Sequence, residues 1–240
     1  MLVDVAQLAS CTLKNSGSQL GEDLVVIPTL VHAARGRPGT FVEVGAFTGN
    51  SLSNTLALER CFNWTGLLVE GNPDNYKQLL RSGRRGTKIH SAVCRAGETT
   101  VRMTIGGGPT AGDMSAMSAA YVKVWGNGNG ASRNRTVNVP CSPLHSLMNK
   151  AGMTQADFLS LDVEGAEDKV IDTVRASRFS LAMAEADNYD PPKDERVRQK
   201  ATAATNTRTR PRPPCAPTPF MCNWHLRCRI SDAERRNAPF

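Results

Sequence analysis

Four acidic residues stand where apolar runs end: Glu43 in "TFVEVGAFTG", Glu70 in "TGLLVEGNP", and Asp162 with Glu164 in "DFLSLDVEGAE". A carboxylate buried there without partners is costly, so each needs a task. In doubly wound sheets, ligands sit beyond the carboxyl ends of the strands, where the strand order reverses. A nucleoside lying across that edge would give every one of these acids a task. Gly45 and Gly49, flanking Ala46, let backbone approach the ligand, and the helix after them presents free N–H groups. Glu70, one strand over, can accept two hydrogen bonds from ribose hydroxyls. Glu43 could hold the amides of the turn or meet a cationic ligand group. Asp162 and Glu164 are two apart and share a strand face, placing a carboxylate where it could take a hydroxyl proton. With Glu167 they could instead cap the helix that follows.

The elements needed to position these residues can be read along the chain. Leu24, Ile27, Leu30 and Val31 fall at helical spacing within 22–34, and Gly36 and Gly39 end the run. "TFVEVGA" reads as a buried strand. Asn50 or Ser51 then caps a helix to about Cys61, with Leu52, Leu56 and Ala57 inside. "TGLLVE" (65–70) is the next strand. Asn72 caps a helix opened by Pro73, with Tyr76, Leu79 and Leu80 on one face. "TKIHSAV" (87–93) is a third strand, and this alternation predicts a parallel sheet covered by helices. Residues 94–140 hold two β segments, "TTVRMTI" and "RTVNVP", separated by small, polar, turn-rich stretches. Those stretches read as a solvated loop, or as a mobile cover over a site. "PLHSLMNKAG" is a helix, "ADFLSLDVEG" a strand, "AEDKVIDTV" a helix and "SLAMAEA" (180–186) a fifth strand. His90 and His145 read as structural histidines.

Charge divides the chain. Residues 1–193 carry 19 Lys/Arg against 18 Asp/Glu, whereas 194–240 carry 10 against 4. The domain is therefore placed at 1–193, with its core at 41–186, and 194–240 is a basic Thr/Arg/Pro-rich tail in which no packed fold is expected. "MCNWHLRCRI" in that tail could supply one short strand. The tail lacks aromatic interleaving beyond Phe220 and Trp224, so nucleic acid is not the expected partner. The seven cysteines, with no CxxC pair, predict reduced thiols in an intracellular setting. Cys222, His225 and Cys228 fit no standard zinc spacing, and no metal site is assigned. Neither a secretory signal nor a membrane span is expected, and a cytoplasmic location is favoured.

A nucleoside cofactor could be NAD(P) or S-adenosylmethionine. The turn reads GxxxG and lacks the middle glycine of the dinucleotide fingerprint, which disfavours pyrophosphate. An acid leading the glycine turn, with a second acid after strand two, is the pattern of class I methyltransferases. "FVEVGAFTGNSLSNTLALE", "WTGLLVEGNPDNY", "SAV" and "DFLSLDVEGAE", in order over residues 41–175, resemble the FkbM family of methyltransferases. "VPCSPLHSLM" and "AEADNYD" are also similar to it. Phe47 and Gly71 depart from the Asn and Pro that many members carry there. The resemblance implies a seven-stranded, Rossmann-like, doubly wound α/β sheet, here incomplete at its C-terminal strands. It implies S-adenosylmethionine as cofactor and methylation of a hydroxyl on a sugar or secondary metabolite. Glu43, Gly45, Ala46, Gly49, Glu70, Asn72, Ser91 and Ala92 would border the cofactor, with Asp162 and Glu164 as the catalytic pair. A catalytically silent cofactor-binding remnant, or a binder of anionic partners through the basic tail, are the alternatives.

Overall fold

Apolar residues dominate the central runs that become strands, and their burial on both faces requires helices on either side. The computed structural model describes residues 4–105, 112–119, 135–174, 179–186, 190–205 and 224–228. Its first half comprises α1 (Val5–Asn15), α2 (Glu22–Ala33), β1 (Thr40–Val44), α3 (Leu56–Phe62), β2 (Thr65–Glu70), α4 (Pro73–Arg81), β3 (Thr87–His90) and β4 (Ala92–Val93). The second comprises β5 (Thr100–Thr104), β6 (Thr136–Ser142), α5 (Leu144–Lys150), β7 (Ala156–Leu161), α6 (Glu167–Ile171), β8 (Phe179–Glu185), α7 (Pro191–Ala204) and β9 (Trp224–Cys228).

The main sheet has the order β3-β2-β1-β7-β8-β9. Its first five strands are parallel, and β9, from the segment expected to give one short strand, joins β8 antiparallel. This is the Rossmann-like α/β sheet the sequence predicts, with the order reversing between β1 and β7. α2, α3 and α4 contribute Ile27, Leu58 and Leu79 to a core on one face, shared with Phe41, Phe158 and Leu181. α5, α6 and α7 contribute Leu147, Val170 and Val197 to a core on the other. α7 runs across Lys193, and its Val197 and Ala201 are buried. A smaller sheet, β4-β6-β5, packs around Val101, Met103 and Val139.

Several expectations are corrected. The helix after β1 starts at Leu56, not Asn50, because residues 53–55 are bound by Glu43 and Leu52 sits in the left-handed region at φ 58°. "TKIHSAV" is two strands: the Ser91 amide donates to the Glu70 carbonyl, and the chain then leaves β2 to pair with β6. Leu80 is 54% exposed, while Asn75 takes a buried place on α4. Four cysteines are oxidised, in the disulfides Cys11–Cys61 and Cys94–Cys141. Their partners lie 50 and 47 residues apart and meet only through the folding of distant elements. The expectation of reduced thiols is overturned, and the argument from free thiols to an intracellular setting falls with it. Each crosslink restricts the unfolded chain, an effect worth about 4 kcal/mol in the chain-entropy picture.

His90 and His145 have structural surroundings. His90 stacks on Tyr76 with 4.9 Å between centroids and lies 3.0 Å from the Gly71 carbonyl oxygen, and His145 faces the Thr173 carbonyl. The Cys222, His225 and Cys228 side chains and the stretch 206–223 lie outside the described residues. No helix among the described residues is long and apolar enough to cross a membrane.

Candidate active site at the carboxyl edge of the sheet

The turn after β1 folds across the end of β2. The Gly45 and Ala46 amides both donate to the Val69 carbonyl at 3.0 Å, and the Asp162 amide donates to the Val44 carbonyl, so three strands meet here. Gly45 has φ 87°, and a Cβ on it would lie 1.7 Å from the Asp162 carbonyl oxygen. Only glycine permits this approach between the β1 turn and the end of β7. Ala46 is buried, and Gly49 packs tightly on Leu79 of α4 and on Ser82, the residue that caps its C-terminus.

Glu70 closes β2, is buried, and ties the turn down. Its Oε2 accepts from the Phe47 amide and its Oε1 from the Asn72 amide, both at 2.7 Å. Burial pushes its carboxyl up to about 7, against the opposing donors of Asn72, Phe47, Asn75 and Gly71. Asn72 is the N-cap of α4, accepting from the amides of Asp74 and Asn75. Ser91 is buried beside Glu70, and Ala92 is half-buried, its Cα near Gly71. A Cβ at Gly71 would meet the Met103 sulfur at 2.6 Å, which accounts for glycine at this rim position.

Phe47 has φ 48°, a left-handed conformation that Asn adopts readily and Phe does not. Phe47→Asn is therefore expected to raise the free energy of unfolding by about 1 kcal/mol in urea titrations, since the backbone strain outweighs the packing of a half-buried ring.

Glu43 lies one layer deeper. It accepts from the Ser53 hydroxyl (3.0 Å), the Asn54 amide (2.8 Å) and the Thr55 hydroxyl (2.6 Å), with Arg84 3.8 Å away. Burial raises its pKa, opposed by Arg84 and by those three donors. Its carboxylate builds the loop that carries the edge. Arg84, which sequence reading passed over, organises the same loop. The side chain is buried, its Nε donates to Glu59 at 3.0 Å, and its terminal nitrogens donate to the Gly49 carbonyl and the Ser53 and Thr55 hydroxyls. Nothing in "RSGRRGT" separates it from a solvated arginine, because its partners come from residues 43–59.

Beyond β7, Asp162 is half-buried with its carboxyl enclosed and hydrogen-bonded to the side chain of Glu185, the last residue of β8. Burial first, and then the charge of Glu164, push the Asp162 carboxyl up to about 8, with the Glu185 hydrogen bond opposing. Glu164 holds a left-handed conformation at φ 56°, a strain of the kind that collects at functional sites. The capping task falls to Glu167. Its Oε1 accepts from the Val163 and Gly165 amides, and its Oε2 pairs with the buried Lys193 of α7 at 3.4 Å. Residues 112–117 lie over this turn: a Cβ at Gly112 would sit 3.0 Å from that of Glu164, and one at Gly165 would sit 3.2 Å from the Ala116 carbonyl oxygen. Lys169 anchors that strip through Asp113 at 3.0 Å. Part of the turn-rich segment thus packs on the Glu164–Gly165 turn.

The structure brings Gly45, Ala46, Glu70, Asn72, Ser91, Ala92 and Asp162 to one edge, with Glu164 beside them and Glu43 and Gly49 in the supporting layer. Glu70 closing β2 and Asp162 just beyond β7, with the glycine turn of β1 between them, form an arrangement suited to a nucleoside and to removal of a proton. No curated protein matches the chain. The family model for the methyltransferase FkbM domain matches residues 43–204, which takes in every strand of the parallel sheet from Glu43 onward and nearly all of this edge. With two thirds of its length covered by that match, the chain belongs to the FkbM methyltransferase family.

Proposed function

We propose that the protein uses S-adenosylmethionine to methylate a hydroxyl oxygen on a sugar or secondary metabolite, a small-molecule or glycan acceptor. The observation that carries this reading is the convergence of Glu70, the Gly45 turn and Asp162 on one sheet edge in an FkbM-family chain. The residues fit the cofactor chemically. Glu70 would accept ribose hydroxyls on lone pairs not taken by the Phe47 and Asn72 amides. Gly45 and Ala46 would present backbone to the sugar, Asn72 would fix the adjoining helix, and Ser91 and Ala92 would border the base.

Bound S-adenosylmethionine would supply a methyl carbon already made electrophilic by its sulfonium. The protein's own share is alignment and exclusion of water. An alcohol is a poor nucleophile until its proton is taken, and Asp162 would take it while the new O–C bond forms and the S–C bond breaks. Burial first, and then the charge of Glu164, would raise the basicity of Asp162. The 112–117 strip would keep water from the reacting atoms.

Isothermal calorimetry with S-adenosylmethionine tests the reading. Saturable binding by the wild type is expected, weakened roughly tenfold to hundredfold by Glu70→Gln through loss of charge-assisted hydrogen bonds. A wild type that takes up no S-adenosylmethionine would refute it.

A further inference from the structure

We propose that Glu22 is a ligand-binding residue whose carboxylate receives the ammonium group at the amino-acid end of S-adenosylmethionine, an inference that rests on the cofactor reading above. Glu22 opens α2 and is only 6% exposed. Its Oε2 accepts from the Leu20 amide at 2.9 Å, but its buried Oε1 has no hydrogen-bond partner among the described residues. A buried carboxylate oxygen without a donor is an unfinished site unless a ligand supplies one.

The place of Glu22 in the fold points to the ligand. β1, β7 and β8 present one face toward α2, and their register aligns Phe41, Phe158 and Leu181 in one row and Glu43, Ser160 and Met183 in the next. One step further toward the carboxyl edge come Gly45, Asp162 and Glu185. Leu30 and Ala34, at the far end of α2, lie beside Asp157 at the start of β7, so α2 runs against the strands and its N-terminus is directed toward the carboxyl edge, where the Glu22 charge adds to the upward shift of Asp162. The position of that N-terminus is held firmly. Asp23 accepts from Ser16, Gly17, Ser18 and its neighbour's amide, and Gly17 sits against the Asn50 and Ser53 carbonyls, where a Cβ would lie 2.8 and 3.0 Å away.

A buried carboxylate with an open oxygen, acting on the neighbouring Asp162 carboxyl, calls for a cationic donor. Arg84 is engaged with Glu43 and Glu59, and Lys169 with Glu98 and Asp113. With its ribose on Glu70 of β2, a nucleoside crossing the Gly45 turn carries its substituent over β1 to β7, two strands or about 10 Å away. The amino-acid end therefore arrives between Glu22 and Asp162, and its ammonium can donate to Oε1. A neutral donor such as water would fill the hydrogen bond but leave the charge.

The test is calorimetry on the full chain with two ligands, S-adenosylmethionine and 5′-methylthioadenosine, which has the adenosine and thioether but no amino-acid group. Glu22→Gln retains an oxygen for the Leu20 amide and is expected to weaken S-adenosylmethionine about tenfold while leaving methylthioadenosine unchanged. Glu22→Asp, which keeps the charge, is expected to lose less, and it serves as the second variant should the glutamine form fold poorly. Equal affinity of wild type and Glu22→Gln for S-adenosylmethionine, or an equal loss for both ligands, overturns the assignment of Glu22 alone. A wild type that binds methylthioadenosine but not S-adenosylmethionine also overturns it, and one that binds neither overturns the cofactor reading as well.

Discussion

Replacing Arg84 with methionine is expected to lower the free energy of unfolding by about 3–5 kcal/mol, the cost typical of removing one partner from a buried ion cluster. Methionine fills much of the volume, so the loss isolates the guanidinium. It would leave the Glu59 carboxylate with only the Arg85 contacts, and would leave the Gly49 carbonyl and two hydroxyls without their donor. Glu43 would keep Ser53, Asn54 and Thr55 but lose the nearest positive charge, which now opposes the effect of burial on its carboxyl. Lysine is expected to recover little, since its single ammonium cannot span Glu59, Gly49, Ser53 and Thr55 as the planar fork does. Adding Glu59→Gln to Arg84→Met should restore part of the stability by removing a stranded charge, and the double-mutant cycle measures that coupling. A urea midpoint unchanged by Arg84→Met would show that the cluster is not what holds the β1 loop.

That loop also marks where sequence reading stopped. Strands were legible because burial on both faces demands unbroken apolar runs: "TGLLVE" forms β2 at the residues expected, and α4 opens on its Asn72 cap and Pro73. The acids were legible as strand-end residues, but their partners were not. Glu43 and Glu70 end similar strands, yet one is bound into residues 53–55 and the other clamps the Phe47 and Asn72 amides. Glu22 and Glu185 gave no signal, because helix starts and strand ends carry acids for ordinary reasons. The two disulfides were hidden for the same reason as Arg84: nothing local distinguishes a cysteine whose partner lies some 50 residues away. Local pattern specifies elements, whereas the chemistry of this edge arises from contacts between residues more than a hundred positions apart, as between Gly45 and Asp162.

Asp162→Asn should reduce turnover by about 10²–10⁴-fold, the usual contribution of a positioned general base, with S-adenosylmethionine affinity retained. Two pH effects separate a base from a merely structural acid. The Asp162 carboxyl is pushed up to about 8, so the proton-accepting form grows as pH rises through neutrality. Wild-type kcat/KM should climb toward pH 8 and level above it, and the variant should lack that limb. Stability runs the opposite way. Between the ordinary aspartate value of 3.8 and about 8, the unfolded chain has released a proton that the folded chain still holds. The folded state therefore loses stability as pH rises across that window. Asparagine cannot ionise, yet it can donate to Glu185, so the variant should lose less stability between pH 5 and pH 8 than the wild type. Glu70, raised to about 7, supplies a smaller residual fall. Unchanged turnover in Asp162→Asn would remove the residue from the reaction. A lost rate with an unaltered pH dependence of both rate and stability would mean that Asp162 shapes the edge without accepting the proton.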